Sequence, residues 1–260
     1  RLKDEAQNVW VDDKGTVANH ECEANASNGS KIDFRTAAAM TLKGLTAQFL
    51  LRQTFPVQKG QTILFHAAAG GVGLIACQWA NHLGATVIGT VGSEEKAALA
   101  RAHGCHHVIN YRTEDFVARV AEITGGRKCD VVYDSVGRDT FPGSLDCLRP
   151  MGMWVLFGQS SGIFSSFDMN LLAQKGSLFA TRPTLFVYAA KPDALRRMAA
   201  ELMDVVGRGS VKVEVNQDFA LRDAAEAHRA LEARQTTGAS VLIPLGGVLP
   251  RGLPGATLST

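Results

Sequence analysis

The sequence lacks most of the marks that would assign it to a membrane, a nucleic acid or a secreted disulfide scaffold. It has no run of about 18 apolar residues, the length that spans a bilayer. Its 27 Lys and Arg stand against 25 Asp and Glu. The formal charge of +2 is too small to create a cationic field for nucleic acid or a lipid surface. Clusters of aromatic and basic residues, the usual single-strand platforms, are also missing. The few cysteines, Cys22, Cys77, Cys105, Cys129 and Cys147, are scattered and odd in number. That excludes a disulfide framework and leads us to expect reduced thiols in a cytoplasmic protein. No Cys-x-x-Cys pair is present, so no cysteine zinc site of the usual spacing is expected. His103, Cys105, His106 and His107 crowd together, but their simpler reading is the turn into a strand. The opening Arg1-Leu2-Lys3-Asp4-Glu5 does not read as a secretory signal.

What is present centres on Thr62-Ile63-Leu64-Phe65, followed by His66-Ala67-Ala68-Ala69-Gly70-Gly71-Val72-Gly73 and then Leu74-Ile75-Ala76-Cys77-Gln78-Trp79-Ala80. A β-favouring run ends in small residues and glycines, and a helical pattern follows. This order of strand, glycine turn and helix opens a dinucleotide-binding unit. Gly70 and Gly71 allow a tight turn and close approach to a pyrophosphate, Val72 follows in the same turn, and Gly73 allows the helix to pack on the strand. The helix N-terminus favours an anion. The spacing is Ala67-x-x-Gly70-x-x-Gly73 and not the commoner Gly-x-Gly-x-x-Gly.

The rest of the chain repeats the alternation. Thr36–Leu51 reads as a helix closed before Pro56, and 86–90, 107–110, 130–134 and 152–157 read as strands. Helices are expected over 93–103, 114–123 and 139–148, and a sixth strand over Ser177–Thr181. Strands alternating with helices predict an α/β fold, a doubly wound parallel sheet, with remnants of a second domain. The boundaries are an unassigned segment at 1–31, read as a loop or remnant, a dinucleotide-binding domain at 32–190, a return segment at 191–244 that differs from the βα repeat and is read as part of another lobe, and a Gly/Pro-rich tail at 245–260. Within the return segment a helix is predicted from Pro192 to Val206, a strand over Val211–Val215, a helix from Arg222 to Arg234 and a final strand at 240–244. Ligands of such sheets sit at the carboxyl ends of the strands. There stand the glycine turn, Gly92-Ser93, Asn110-Tyr111, Ser135-Val136-Gly137 and Gly158-Gln159-Ser160-Ser161.

An Asp or Glu at the end of the second strand would mark NAD by holding the ribose 2′-hydroxyl. This strand instead ends Thr90-Val91-Gly92-Ser93, and Glu94 and Glu95 fall inside the following helix start. Lys96, one turn further, can reach a 2′-phosphate, Ser93 can donate to it while capping the helix, and Tyr111 can wall the adenosine side. NADPH is therefore expected.

Several motifs together closely resemble the quinone oxidoreductases, the zeta-crystallin-like, zinc-free branch of the medium-chain dehydrogenases. They are 65–73, Gly89-Thr90-Val91-Gly92-Ser93, Val108-Ile109-Asn110-Tyr111-Arg112, Val132-Tyr133-Asp134-Ser135-Val136-Gly137 and Gln174-Lys175-Gly176-Ser177-Leu178. The resemblance runs from Ile32 to Pro244 and implies an NADPH-dependent reductase of quinones. It implies that Gly71 and Val72 meet the pyrophosphate and that Gly92, Ser93, Lys96 and Tyr111 hold the 2′-phosphate and ribose. Ser160, Ser161, Gly162, Leu185, Phe186 and Val187 would line the nicotinamide side. Arg234 matches a late cofactor-contacting arginine, and Phe49 stands where the family usually has a tyrosine near the cofactor. A homodimer paired through the 177–181 strand is implied as well. Residues 1–31 do not resemble the family's N-terminal substrate domain, so cofactor residues carry over and substrate residues do not.

Three functions remain open on sequence: quinone reduction, a dimerising NADPH-binding remnant with little turnover, and reduction of enones. No catalytic residue is named, because the cofactor carries the chemistry. Tyr133 and Asp134 suggest an acid–base pair, but a strand-end Asp is more often structural, and His66 beside the diphosphate is a poor base.

Overall fold

The computed structural model describes residues 32–163, 166–233 and 235–244, together with the backbone of three short strands before them. These are β1 (Leu2–Asp4), β2 (Val9–Val11) and β3 (Val17–Ala18), paired antiparallel in that order. The loop expected over 1–31 thus contains strands too short to leave a periodic signal. The expected tail at 245–260 and the cofactor arginine Arg234 lie outside the described residues.

The core of the molecule begins with α1 (Phe34–Phe49), capped by the Asp33 side chain, which accepts from the Thr36 amide at 2.7 Å. A π-helical turn at Leu50–Thr54 carries the chain to β4 (Thr62–Phe65). Then follow α2 (Gly71–His82), β5 (Thr86–Val91), α3 (Glu94–Ala102), β6 (His107–Asn110), α4 (Phe116–Ile123) and β7 (Cys129–Asp134). The second half continues through α5 (Gly143–Asp146), β8 (Leu148–Leu156), α6 (Asn170–Gln174), β9 (Phe179–Thr181) and α7 (Leu185–Tyr188). Six of these strands, all parallel, form one sheet in the order β6-β5-β4-β7-β8-β9. The chain winds outward in one direction from β4 to β6, then crosses back and winds the other way. The reversal falls between β4 and β7, and there the strand ends open a crevice.

Both faces of the sheet are buried, so its strands are continuously apolar. Along β4 the side chains alternate: Ile63 and Phe65 enter one core with Trp79, Val87, Val131 and Tyr133. Leu64 enters the other with Ile88, Ile109, Val132 and Trp154. Each such side chain, fully buried, contributes roughly 1.5–3 kcal/mol.

The return segment comprises α8 (Pro192–Gly207), β10 (Val215–Ala220), a 3₁₀ turn at Leu221–Asp223, α9 (Ala224–Glu232) and β11 (Ala239–Ile243). It packs back on the dinucleotide unit. Gly44 of α1 lets α8 come close: a Cβ there would lie 2.6 Å from the terminal methyls of Leu202, which would have to shift. Glu201 accepts from Gln48 at 2.8 Å and from Arg52 at 2.6 Å. Arg35 pairs with Asp218 of β10. Gly238 bridges in parallel to Gly70, at the glycine turn itself.

Three expectations about elements need correction. Residues 211–215 do not form a strand; β10 begins at Val215. Val211 and Val213 do point into the core as a strand's alternate residues would. The backbone between them, however, bonds to a side chain and not to a strand: Gln78 accepts from the Lys212 amide and donates to its carbonyl, both at 2.9 Å, and the Val211 amide donates to the Val205 carbonyl at 3.1 Å. The helix expected over 139–148 shrinks to Gly143–Asp146, because Pro142 has no amide to donate and Leu148 already belongs to β8. The sixth strand starts at Phe179, since Gly176 and Ser177 both have positive φ.

Candidate functional site: a cleft at the carboxyl ends of the strands

A cleft of about 700 Å³ opens over the reversal point. Its floor is the turn after β4, from His66 to Gly70. Ala67 holds a φ of 56°, a conformation that usually requires glycine. Gly73 sits one turn into α2, where a Cβ would lie 2.5 Å from the Ala68 carbonyl oxygen and 2.6 Å from that of Ala67. The turn folds directly under the helix start, whose first amides have no acceptor within the helix. Gly71 and Val72 occupy that first turn.

The second wall is the end of β5. Gly92, Lys96 and Tyr111 line it together. The Tyr111 hydroxyl lies over Gly92, 2.5 Å from where a Cβ would stand. Ser93 caps α3, its hydroxyl accepting from the Lys96 amide at 3.3 Å. Glu94, the carboxylate nearest this end in sequence, is held by the Asn110 side chain, whose amide donates to it at 3.0 Å. Among the described residues no carboxylate pairs with Lys96. The result is an unpaired lysine beside the glycine turn.

The third wall joins the ends of β7 and β8. The Ser160 amide donates to the Ser135 carbonyl at 3.1 Å and the Ser161 amide to that of Val136 at 3.0 Å. The Ser161 hydroxyl donates to the Val136 carbonyl at 2.8 Å and accepts from the Asp139 amide at 2.9 Å, so it ties the two loops together. Gly158 approaches Ser135 so closely that a Cβ would meet its carbonyl oxygen at 2.6 Å. Gly162, with a φ of 123°, packs beside Arg138.

Under this wall lies Asp134, fully buried. One carboxylate oxygen accepts from the amides of Val136 and Gly137 at 2.8 and 3.0 Å. The other accepts from Thr140 at 2.7 Å, Ser144 at 2.8 Å and Trp154 Nε1 at 3.2 Å. A carboxylate with five donors is a structural hub and not a free base. Ser144 spends its one proton on Asp134, so it accepts from His66 Nε2 at 3.1 Å. His66 Nδ1 then accepts from the Thr90 hydroxyl at 2.9 Å. Burial pushes the imidazole below its usual value, and Asp134 only partly opposes this, so His66 is neutral. The Tyr133 hydroxyl donates to the carbonyls of Leu50 and Phe55, and burial raises it well above the usual tyrosine value. Neither partner of the tempting acid–base pair faces the cleft.

Of the residues expected from sequence, Gly70, Gly92, Lys96, Tyr111, Ser160 and Ser161 come together on the cleft, with Gly71, Val72, Gly73, Ser93 and Ser135 directly behind them. Phe49 does not line the cleft: it is 2% exposed and stacks on Tyr188 at 4.8 Å. Its effect is indirect, because Tyr188 ends α7 and also bonds Thr54, fixing the helix that carries Leu185, Phe186 and Val187. Phe186 and Val187 project outward, 81% and 71% exposed. Sequence reasoning missed Leu231, Glu232 and Thr236, which close the cleft from the return segment. Their one signal was proximity to Arg234. Among the described residues no three His, Cys, Asp or Glu side chains come together to hold a metal.

A doubly wound parallel sheet with a glycine turn at its reversal point defines a Rossmann-type unit. A family model described as zinc-binding dehydrogenase matches residues 71–200, and the chain belongs to that family. Within it the chain is similar to quinone oxidoreductases. It is 57% identical over 213 residues to the quinone oxidoreductase of Pseudomonas aeruginosa, covering 82% of this chain and 66% of that one. It is 51% identical over 208 residues to a 2-haloacrylate reductase of a Burkholderia species, covering 80% of this chain and 62% of that one. The crystal structure of Escherichia coli quinone oxidoreductase complexed with NADPH superposes with a TM-score of 0.80 at 52% identity, over 82% of this chain and 66% of that one. The chain thus spans about two thirds of the length of these relatives, or slightly less.

Proposed function

We propose that the cleft binds NADPH and that the chain belongs to an enzyme passing its reducing equivalents to quinones. The observation that carries this reading is the end of β5: Lys96 without a carboxylate partner among the described residues, Tyr111 folded over Gly92, and Glu94 engaged by the Asn110 side chain. A ribose bearing a 2′-phosphate fits such an end, and a bare 2′-hydroxyl would prefer a carboxylate. The glycine turn supplies close backbone approach for the diphosphate. Residues 32–190 hold the cofactor in this reading, and the return segment, 191–244, completes its cleft. The similar structure complexed with NADPH supports the same cofactor.

The reduced nicotinamide, when bound, supplies a hydride. The chain's own part is to bind and orient: the first amides of α2 hold the diphosphate, Lys96 and Ser93 the 2′-phosphate, and the Ser135–Ser161 loops back the nicotinamide end. His66, neutral under the turn, adds no charge of its own there. Hydride transfer leaves a hydroquinone anion that takes its proton from solvent, so little acid–base help from this chain is needed and no side chain is named as acid or base. The similarity to a 2-haloacrylate reductase keeps enones as the second acceptor class, and a binding remnant remains the third reading.

Incubating the purified chain with NADPH and a naphthoquinone, then with an enone, separates these. Loss of the reduced-nicotinamide absorbance with the quinone supports quinone reduction; loss only with the enone moves the chain to that class. Binding without turnover to either contradicts an enzymatic role for this chain alone.

We further propose a homodimer through β9, the edge of the sheet, where Phe179 is 56% exposed. Sedimentation of the Phe179→Lys variant as monomer beside a dimeric parent is the expected result; a monomeric parent contradicts it. The four described cysteines are buried free thiols, which supports a reducing, cytoplasmic setting.

A further inference from the structure

Beside the phosphate turn stands a lysine that none of the contacts above employs. Lys43 lies on the face of α1 packed against α2. Its stem crosses Gly71, the first residue of α2: a Cβ on Gly71 would lie 2.6 Å from Lys43 Cδ and 2.7 Å from Cε. The ammonium is therefore one bond beyond an atom already touching the helix start. The Gly238 carbonyl closes the same gap from the return segment, 2.9 Å from that Cβ position. Among the described residues the ammonium has no hydrogen-bonding or ionic partner, and Lys43 is half-buried. Burial lowers its basicity with nothing opposing it. An exposed lysine would extend into water at little cost. This one is kept partly out of water and unpaired, a cost that an anion placed at the same helix start would offset.

We propose that Lys43 is a further cofactor-binding residue, its ammonium pairing with the diphosphate held by the first turn of α2. This rests on the dinucleotide reading above. It assigns the two lysines different parts of the ligand. Lys96 meets the 2′-phosphate, which only NADPH carries. Lys43 meets the diphosphate, which NADPH and NADH share.

The test is calorimetric titration of the chain with NADPH and with NADH, for the parent, Lys43→Met and Lys43→Arg. Methionine keeps the stem over Gly71 and removes the charge; arginine keeps the charge. Lys43→Met is expected to bind both cofactors about tenfold more weakly, by the same factor, with its melting temperature near the parent's. Lys43→Arg should recover most of the loss. Parent-like affinity in Lys43→Met would overturn the assignment. So would a loss confined to NADPH, which would make Lys43 a second reader of the 2′-phosphate, or a loss that arginine does not restore, which would mark a packing role. Lys43→Gln serves where the methionine variant does not fold. A parent that binds neither cofactor overturns the dinucleotide reading itself, and the assignment with it.

Discussion

Asp134 and His66 show how single residues can look catalytic and serve the scaffold. Asp134 gathers five donors from the two loops that back the cleft. Replacing it by alanine leaves buried amides, hydroxyls and an indole unpaired. Asp134→Ala is expected to cost about 3 kcal/mol or more in denaturant unfolding. A loss under about 1 kcal/mol would show that the hub is dispensable. His66 makes a prediction in pH. Its folded-state value lies below the usual imidazole value, so the unfolded chain takes up the proton first as pH falls. Stability contributed by neutral His66 is complete above about pH 6.5 and declines as pH drops below it. His66→Gln should flatten the stability profile between roughly pH 6.5 and 5, and an unchanged slope would contradict the neutral, buried assignment.

At the scale of elements, the glycine turn separates positions that look alike in sequence. A Cβ at Gly70 would meet only the Ala67 carbonyl oxygen, at 3.1 Å, whereas at Gly73 it would strike two backbone carbonyls below 2.7 Å. Gly73→Ala is therefore expected to lower cofactor affinity at least tenfold and Gly70→Ala far less, both read by calorimetry. Equal effects would show that the turn can shift. The sequence reading placed this turn correctly, but with the wrong contact. It assigned Gly73 to helix–strand packing, and the structure shows the turn's own carbonyls beneath it. The same distinction explains residues 211–215. Their alternating valines report burial, which the core confirms, but alternation says nothing of what the backbone bonds to, and here that is Gln78. Periodicity encodes burial; hydrogen-bond partners depend on what the fold brings alongside.

For the molecule as a whole, the parallel sheet and its crevice were legible because each strand end carries a local mark: the glycine turn, Gly92-Ser93, Tyr111 and the serines after β8. The closing wall was not legible. Leu231, Glu232 and Thr236 reach the cleft only because α8 and β11 dock on α1 and Gly238 bridges to Gly70. Phe49 comes from the resemblance and not from any local mark; in the fold its ring stacks on Tyr188. What joins these parts is one cleft with a cationic end. The most direct measurement is the affinity of the parent and of Lys96→Ala for NADPH and NADH. The parent should bind NADPH at least tenfold more tightly than NADH, and Lys96→Ala should lose that preference while its NADH affinity stays close to the parent's. Equal affinity of the parent for both cofactors, or equal losses for both in Lys96→Ala, would contradict a 2′-phosphate at the end of β5.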